Sequence, residues 1–145
     1  MEIYTIGFAK KSAEEFFQLL RRAGIEHLID VRLRNSSQLS GFSKQRDLQF
    51  LLSELLGATY EHNANLAPTE DLLNRYKKNQ IPWADYESEF LSLMADRSVE
   101  RQMSPASFTR KTVLLCTEPT AERCHRRLVT DYLSTKWGDI QAVHL

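Results

Sequence analysis

Cys116 and Glu118, followed by Cys124, His125 and Arg126, bring two thiols, a carboxylate, an imidazole and a guanidinium into one short segment of the chain. These types have defined uses. A thiol near cations or a helix N-terminus becomes a nucleophile, an imidazole or carboxylate moves protons, and a guanidinium holds anions. Cys124, His125 and Glu118 are the catalytic candidates, with Cys116 and Arg126 as ligand contacts. Each also has a plainer reading. Both cysteines can be core fillers, and Glu118 can cap a helix or pair with Arg126.

Metal chemistry is a separate question. Cys116, Cys124, His125 and His62 are zinc-compatible ligand types, but their spacing matches no standard zinc motif. Neighbouring residues on a helix project about 100° apart, which makes joint ligation by Cys124 and His125 awkward. The expectation is no metal and no cofactor. The chain also lacks a phosphate-binding G-x-x-x-x-G-K-[ST] loop, a G-x-G-x-x-G fingerprint and a G-x-S-x-G elbow. The interval from Cys116 to Arg123 is one residue longer than the loop of cysteine-dependent phosphatases.

The elements that must position these residues follow from periodicity. Ile3 to Ile6 reads as a strand ending at Gly7, and Ser12 with Glu15 opens a helix that buries Phe16, Leu19, Leu20 and Ala23 before Gly24. His27 to Val31 is the second strand, followed by a polar loop through Arg34, Ser36, Ser37 and Gly41. Ser43 is the expected cap of a leucine-rich helix ending at Gly57, and Ala58 to His62 returns as a strand. A short helix spans Leu72 to Tyr76, and another after Pro82 carries Trp83, Tyr86, Phe90, Leu93 and Met94. Residues 98–110 give no clear pattern. Thr112 to Cys116 has the apolar, β-branched character of a central parallel strand, Leu128, Val129, Tyr132 and Leu133 mark a helix, and Ile140 to His144 is the last strand.

This alternation predicts a single α/β domain over residues 1–145, with a mainly parallel sheet of about five strands and helices on both faces. Ligands of such sheets bind beyond the carboxyl ends of the strands. Gly7, Asp30, Arg32, His62, Cys116 and Glu118 fall at those ends. Asp30 and Arg32 share one side of their strand, so they either hold a polar ligand together or form an internal ion pair. Trp83 is the aromatic residue placed to stack on a flat ligand.

With 145 residues the chain can bury a core without disulfides or metals. It carries 19 basic and 19 acidic side chains, which argues against coating nucleic acid by bulk charge. Between Arg110 and Arg127, however, five basic residues face two acidic ones. No signal-peptide or membrane-spanning pattern is seen, so a cytoplasmic protein with free thiols and no membrane partner is expected.

Tyr4-Thr5-Ile6-Gly7, Leu28-Ile29-Asp30-Val31-Arg32, Trp83 with Tyr86, Leu115-Cys116-Thr117-Glu118 and Cys124-His125-Arg126 together resemble the family catalogued as domain of unknown function 488. The resemblance spans nearly the whole chain. It implies a soluble protein of a bacterial and archaeal family without an established activity, and it points to a rim rather than a reaction. Relatives of that kind often have Leu-Gly-Gly where this chain has Leu66-Ala67-Pro68, and a histidine and a serine where it has Phe8 and Ala9. Those departures imply an altered ligand or reduced activity.

Three functions fit this reading. One is an enzyme acting on a small anionic or nucleotide-like substrate, the second a nucleic-acid-associated module, and the third a non-catalytic interaction protein whose polar cluster joins strand to helix.

Overall fold

A computed structural model describes residues 1–35 and 38–145. Five strands, β1 (Glu2–Gly7), β2 (His27–Asp30), β3 (Thr59–His62), β4 (Thr112–Cys116) and β5 (Gln141–His144), form one sheet in the order β3-β2-β4-β1-β5. Every pairing is parallel. The fold is therefore α/β, as the alternation of apolar strands and amphipathic helices requires.

Helix α1 (Ala13–Ala23) buries Phe16, Phe17 and Leu20 at helical spacing. The Ser12 side chain accepts the Glu15 N–H, and Gly24 closes the helix at φ 70°. Helix α2 (Gln45–Leu56) sends Leu48 and Leu52 into the same layer, against Ile6, Leu28, Val113 and Leu115 of the sheet. Its N-cap is Lys44 rather than Ser43. Ser43 is instead taken by Arg32, which donates Nη2 to its carbonyl at 2.6 Å and Nη1 to its hydroxyl at 3.2 Å. The loop expected through Ser36 and Ser37 lies outside the described residues.

The opposite layer holds α3 (Glu70–Lys77), α4 (Trp83–Arg97) and α6 (His125–Trp137). Leu72, Tyr86, Phe90, Met94, Leu128, Val129 and Leu133 pack there against Ile3, Ile29, Leu114 and Cys116. Burying one such aromatic or aliphatic side chain is worth about 1.5–3 kcal/mol, so this layer holds α4 and α6 firmly behind the strand ends. Residues 98–110, patternless in sequence, contain a one-turn helix α5 (Val99–Gln102) and a 3-10 turn at Pro105–Phe108. Both are anchored by single side chains, Val99 and Phe108. Elements this short show no periodicity.

After β1 the chain crosses by α1 toward β2 and β3, whereas after β4 it crosses by α6 toward β5 on the other face. The connections that leave adjacent strands β1 and β4 thus run in opposite directions from their carboxyl ends, the place where open parallel sheets bind ligands. Their register sets Gly7 beside Cys116 and, one strand over, Asp30 beside Leu115. Among the described residues no helix is long and apolar enough to cross a membrane.

Candidate functional site

The crevice between β1 and β4 is filled by the protein itself. Arg126, at 1% exposure, reaches across it, donating Nη1 to the Glu118 carbonyl at 2.5 Å and Nε to Thr5 Oγ1 at 3.3 Å. Phe8 and Ala9 donate backbone N–H groups to the Cys116 and Thr117 carbonyls. A Cβ on Gly7 would stand 1.5 Å from the Glu118 carbonyl oxygen. Gly7 is needed because the loop after β4 lies directly on it. Neither Gly7 nor Arg126 lines the cavity beside this crevice.

The cavity is displaced to the next gap, beyond the ends of β2 and β4 and beneath α3 and α4. It has a volume of about 120 Å³. Cys116, Cys124 and His125 line its floor, Tyr76, Trp83 and Tyr86 one wall, and Glu118, Arg123, Lys77 and Arg34 its mouth. Arg32 also borders it. Asp30 lies beneath, fully buried.

Asp30 and Arg32 form an internal pair. Arg32 donates Nε and Nη2 to the two carboxylate oxygens at 2.8 and 2.7 Å, and the Tyr60 hydroxyl donates to Oδ2 at 2.7 Å. Burial and the Asp30 carboxylate push the Tyr60 hydroxyl well above the ordinary tyrosine range. The Phe8 ring stacks over the Arg32 guanidinium, 5.4 Å from centroid to Cζ. With Ser43 accepting from Nη1 and Nη2, every guanidinium nitrogen of Arg32 has a protein partner.

The floor is built by the hand-over from β4 to α6. Cys124 is the N-cap of α6 in extended backbone, φ −137° and ψ 139°, so it is not part of the helix. Its side chain and that of His125 are therefore free to converge. A carbonyl can only accept, so the 2.7 Å contact between His125 Nε2 and the Val31 carbonyl puts the ring hydrogen on Nε2. Nδ1, the other ring nitrogen, lies 3.4 Å from Cys116 Sγ.

The two thiols differ. Burial works against a Cys116 thiolate, but a hydrogen bond from Cys124, backbone N–H groups of Thr117 and Glu118 and the Arg126 charge outweigh it, and its pKa falls below the ordinary value. The hydrogen bond to Cys116 and burial push Cys124 far up. Of the pair, Cys116 is the thiol whose surroundings favour ionisation more. Cys124, a possible nucleophile by sequence, does stand at the helix N-terminus as its N-cap, but its thiol is pushed up rather than down.

Tyr86 is 2% exposed, and its hydroxyl makes no hydrogen bond with a described residue. Burial and the charges of Cys116, Cys124, Tyr76 and Glu118 push its pKa up, and the residue lines the same cavity as the floor groups. Trp83 stacks on Tyr86 with centroids 5.2 Å apart, and Tyr76 meets both rings. Arg127 covers Trp83 from outside at 5.9 Å.

At the mouth Arg34 pairs with Glu70. Arg123 and Lys77 have no ion-pair partner among the described residues, and the Glu118 side chain is exposed beside them. Tyr76, Lys77 and Arg123 were not singled out from sequence. Arg123 had a signal, as part of the basic excess around the cysteines, whereas Tyr76 and Lys77 join the site only because α3 folds over the strand ends. His62 ends β3 and bonds the Arg32 carbonyl at 2.8 Å, outside the cavity. Two departures from the expected family pattern have structural uses: Phe8 covers Arg32, and the buried Ala67 offers its carbonyl to Arg97 at 2.7 Å.

No curated protein and no solved structure matches the chain. A family model described as "Domain of unknown function DUF488" matches residues 12–133, which take in α1, the Asp30–Arg32 pair, the aromatic wall and the whole cysteine and histidine floor. The chain belongs to that family.

Proposed function

We propose that this protein is an enzyme acting on a small anionic, nucleotide-like substrate in the cavity beyond β2 and β4. One observation carries the reading: an aromatic wall, two cations without ion-pair partners among the described residues and a thiol–imidazole floor border the same 120 Å³ space. A flat ring stacks on the wall of Trp83, Tyr76 and Tyr86, as bases do on aromatic platforms. Arg123 and Lys77 then meet the anionic group at the mouth. The far end of the substrate faces Cys116, Cys124 and His125, with Glu118 at the edge to give or take a proton.

The size of the space favours a single ring over a polymer. Net charge adds to this, since a balanced chain gains little from the long phosphate array of a nucleic acid. Arg32, Arg126 and Asp30 serve as supports of the floor rather than as substrate contacts.

A thermal-shift comparison of a nucleoside monophosphate, the matching nucleoside and inorganic phosphate tests the reading. The monophosphate should raise Tm most, because it alone engages wall and mouth together. Equal shifts from all three, or none, would exclude this function, and a larger shift from a single-stranded oligonucleotide would transfer it to the nucleic-acid class.

A further inference from the structure

We propose that Cys116, Cys124 and His125 bind one soft divalent cation, zinc by ligand type, with its fourth coordination position open to the cavity. The proposal rests on the reading of this cavity as a substrate site for the cation's role, but not for its binding.

The ligand atoms of the three side chains lie within 4.8 Å of one another, and all three residues are buried. Tetrahedral zinc with Zn–S near 2.3 Å and Zn–N near 2.0–2.1 Å sets sulfur and nitrogen about 3.5 Å apart. Cys116 Sγ and His125 Nδ1 are 3.4 Å apart. The imidazole is already oriented for ligation through Nδ1. A metal-bound histidine hands its other ring N–H to a carbonyl or carboxylate that fixes its tautomer, and here Nε2–H is held by Val31 at 2.7 Å.

The objection from sequence, that adjacent helical residues diverge, does not apply to an N-cap in extended backbone. Supporting donors surround the sulfurs. Arg126 Nη1 lies 3.7 Å from Cys124 Sγ, and the Thr117 and Glu118 N–H groups face Cys116. Two thiolates neutralise a divalent ion, so its burial leaves no net charge.

Three protein ligands with an open position are the pattern of catalytic rather than structural zinc. Tyr86 also lines the cavity, and its hydroxyl makes no hydrogen bond with a described residue. A water or substrate oxygen on the cation would take that hydrogen bond. The cation would polarise that oxygen, and Glu118 would move its proton.

The test is titration of the reduced, metal-stripped chain with Co²⁺, read by absorbance, with Cys116→Ser, Cys124→Ser and His125→Asn alongside and circular dichroism as the check of folding. The expected result is one Co²⁺ per chain, with intense tetrahedral d–d bands and a thiolate charge-transfer band. Each variant that folds should bind at least about 100-fold more weakly. Serine differs from cysteine by one atom, which keeps at least the two sulfur variants informative. Weak octahedral bands in the wild type, or unchanged affinity in folded Cys124→Ser, would overturn the proposal. Repeating the nucleoside monophosphate thermal shift on stripped and Zn²⁺-loaded chain separates the two readings: a cation that binds without any nucleotide response leaves the metal site standing and removes the substrate class.

Discussion

His125 donates its Nε2–H to the carbonyl of Val31 at 2.7 Å, across 94 residues of chain. That single bond ties the first turn of α6 to the end of β2 and turns the other ring nitrogen onto Cys116. Both groups are buried, so replacing the ring by a methyl group leaves a carbonyl without its donor. His125→Ala should lower stability by about 1–3 kcal/mol, measured by urea unfolding with an unchanged m-value.

Gly7 should tolerate no side chain. The Cβ of Gly7→Ala would fall 1.5 Å from the backbone oxygen of Glu118 and 2.6 Å from Arg126 Nη1. The loop from Thr117 to Pro119 must lift, and the Arg126 bridge must break with it. We expect a loss of at least about 1–3 kcal/mol, seen as a fall in Tm, and large amide shift changes at residues 117–119 in heteronuclear spectra.

Arg32 supports the floor, and its substitution separates support from binding. Arg32→Met leaves a buried Asp30 carboxylate without its bidentate partner, which costs about 3–5 kcal/mol. Arg123→Ala removes an exposed cation, and its stability should stay within about 0.5 kcal/mol of the wild type. Chemical denaturation of the two variants checks the contrast. A mild effect at Arg32 would mean that its fork is free for a ligand.

Tyr60 supplies a pH dependence. Its folded pKa is raised above the unfolded value of about 10 by burial and by the Asp30 carboxylate. Between those values the unfolded chain has released a proton that the folded chain keeps, so stability is complete below pH ~10 and falls as pH rises above it. Alkaline difference absorbance should show Tyr60, with the buried Tyr86, among the tyrosines that ionise only with unfolding, and Tyr60→Phe should remove its share of that component.

Much of the architecture was legible because each strand is a short apolar run and each helix has one buried stripe. Ile3 to Ile6, His27 to Val31 and Thr112 to Cys116 could hardly be anything but buried parallel strands, and their ends line up in register as a rim must. The internal Asp30–Arg32 pair was one of two readings that alternation allowed, and Ser43 and Tyr60, which decide between them, come from elements that sequence spacing does not relate to β2. Arg126 looked like an anion contact because sequence reports charge and not where a guanidinium points. It spans the crevice at Gly7 instead. Cys124 was read one residue too far into α6, and that boundary decides whether two neighbouring side chains diverge or converge. Tyr76 and Lys77 became visible only once α3 was folded over the strand ends.

The most direct test of the proposed function is calorimetric titration with a nucleoside monophosphate of the wild type, Trp83→Leu and Arg123→Ala. Stacking on an aromatic wall is worth about 1–3 kcal/mol, and a charge-assisted contact is of similar size. Each substitution should therefore weaken binding about tenfold or more, with the salt dependence of affinity reduced only in Arg123→Ala. Binding that is absent from the wild type, or that both variants retain undiminished, would contradict the account.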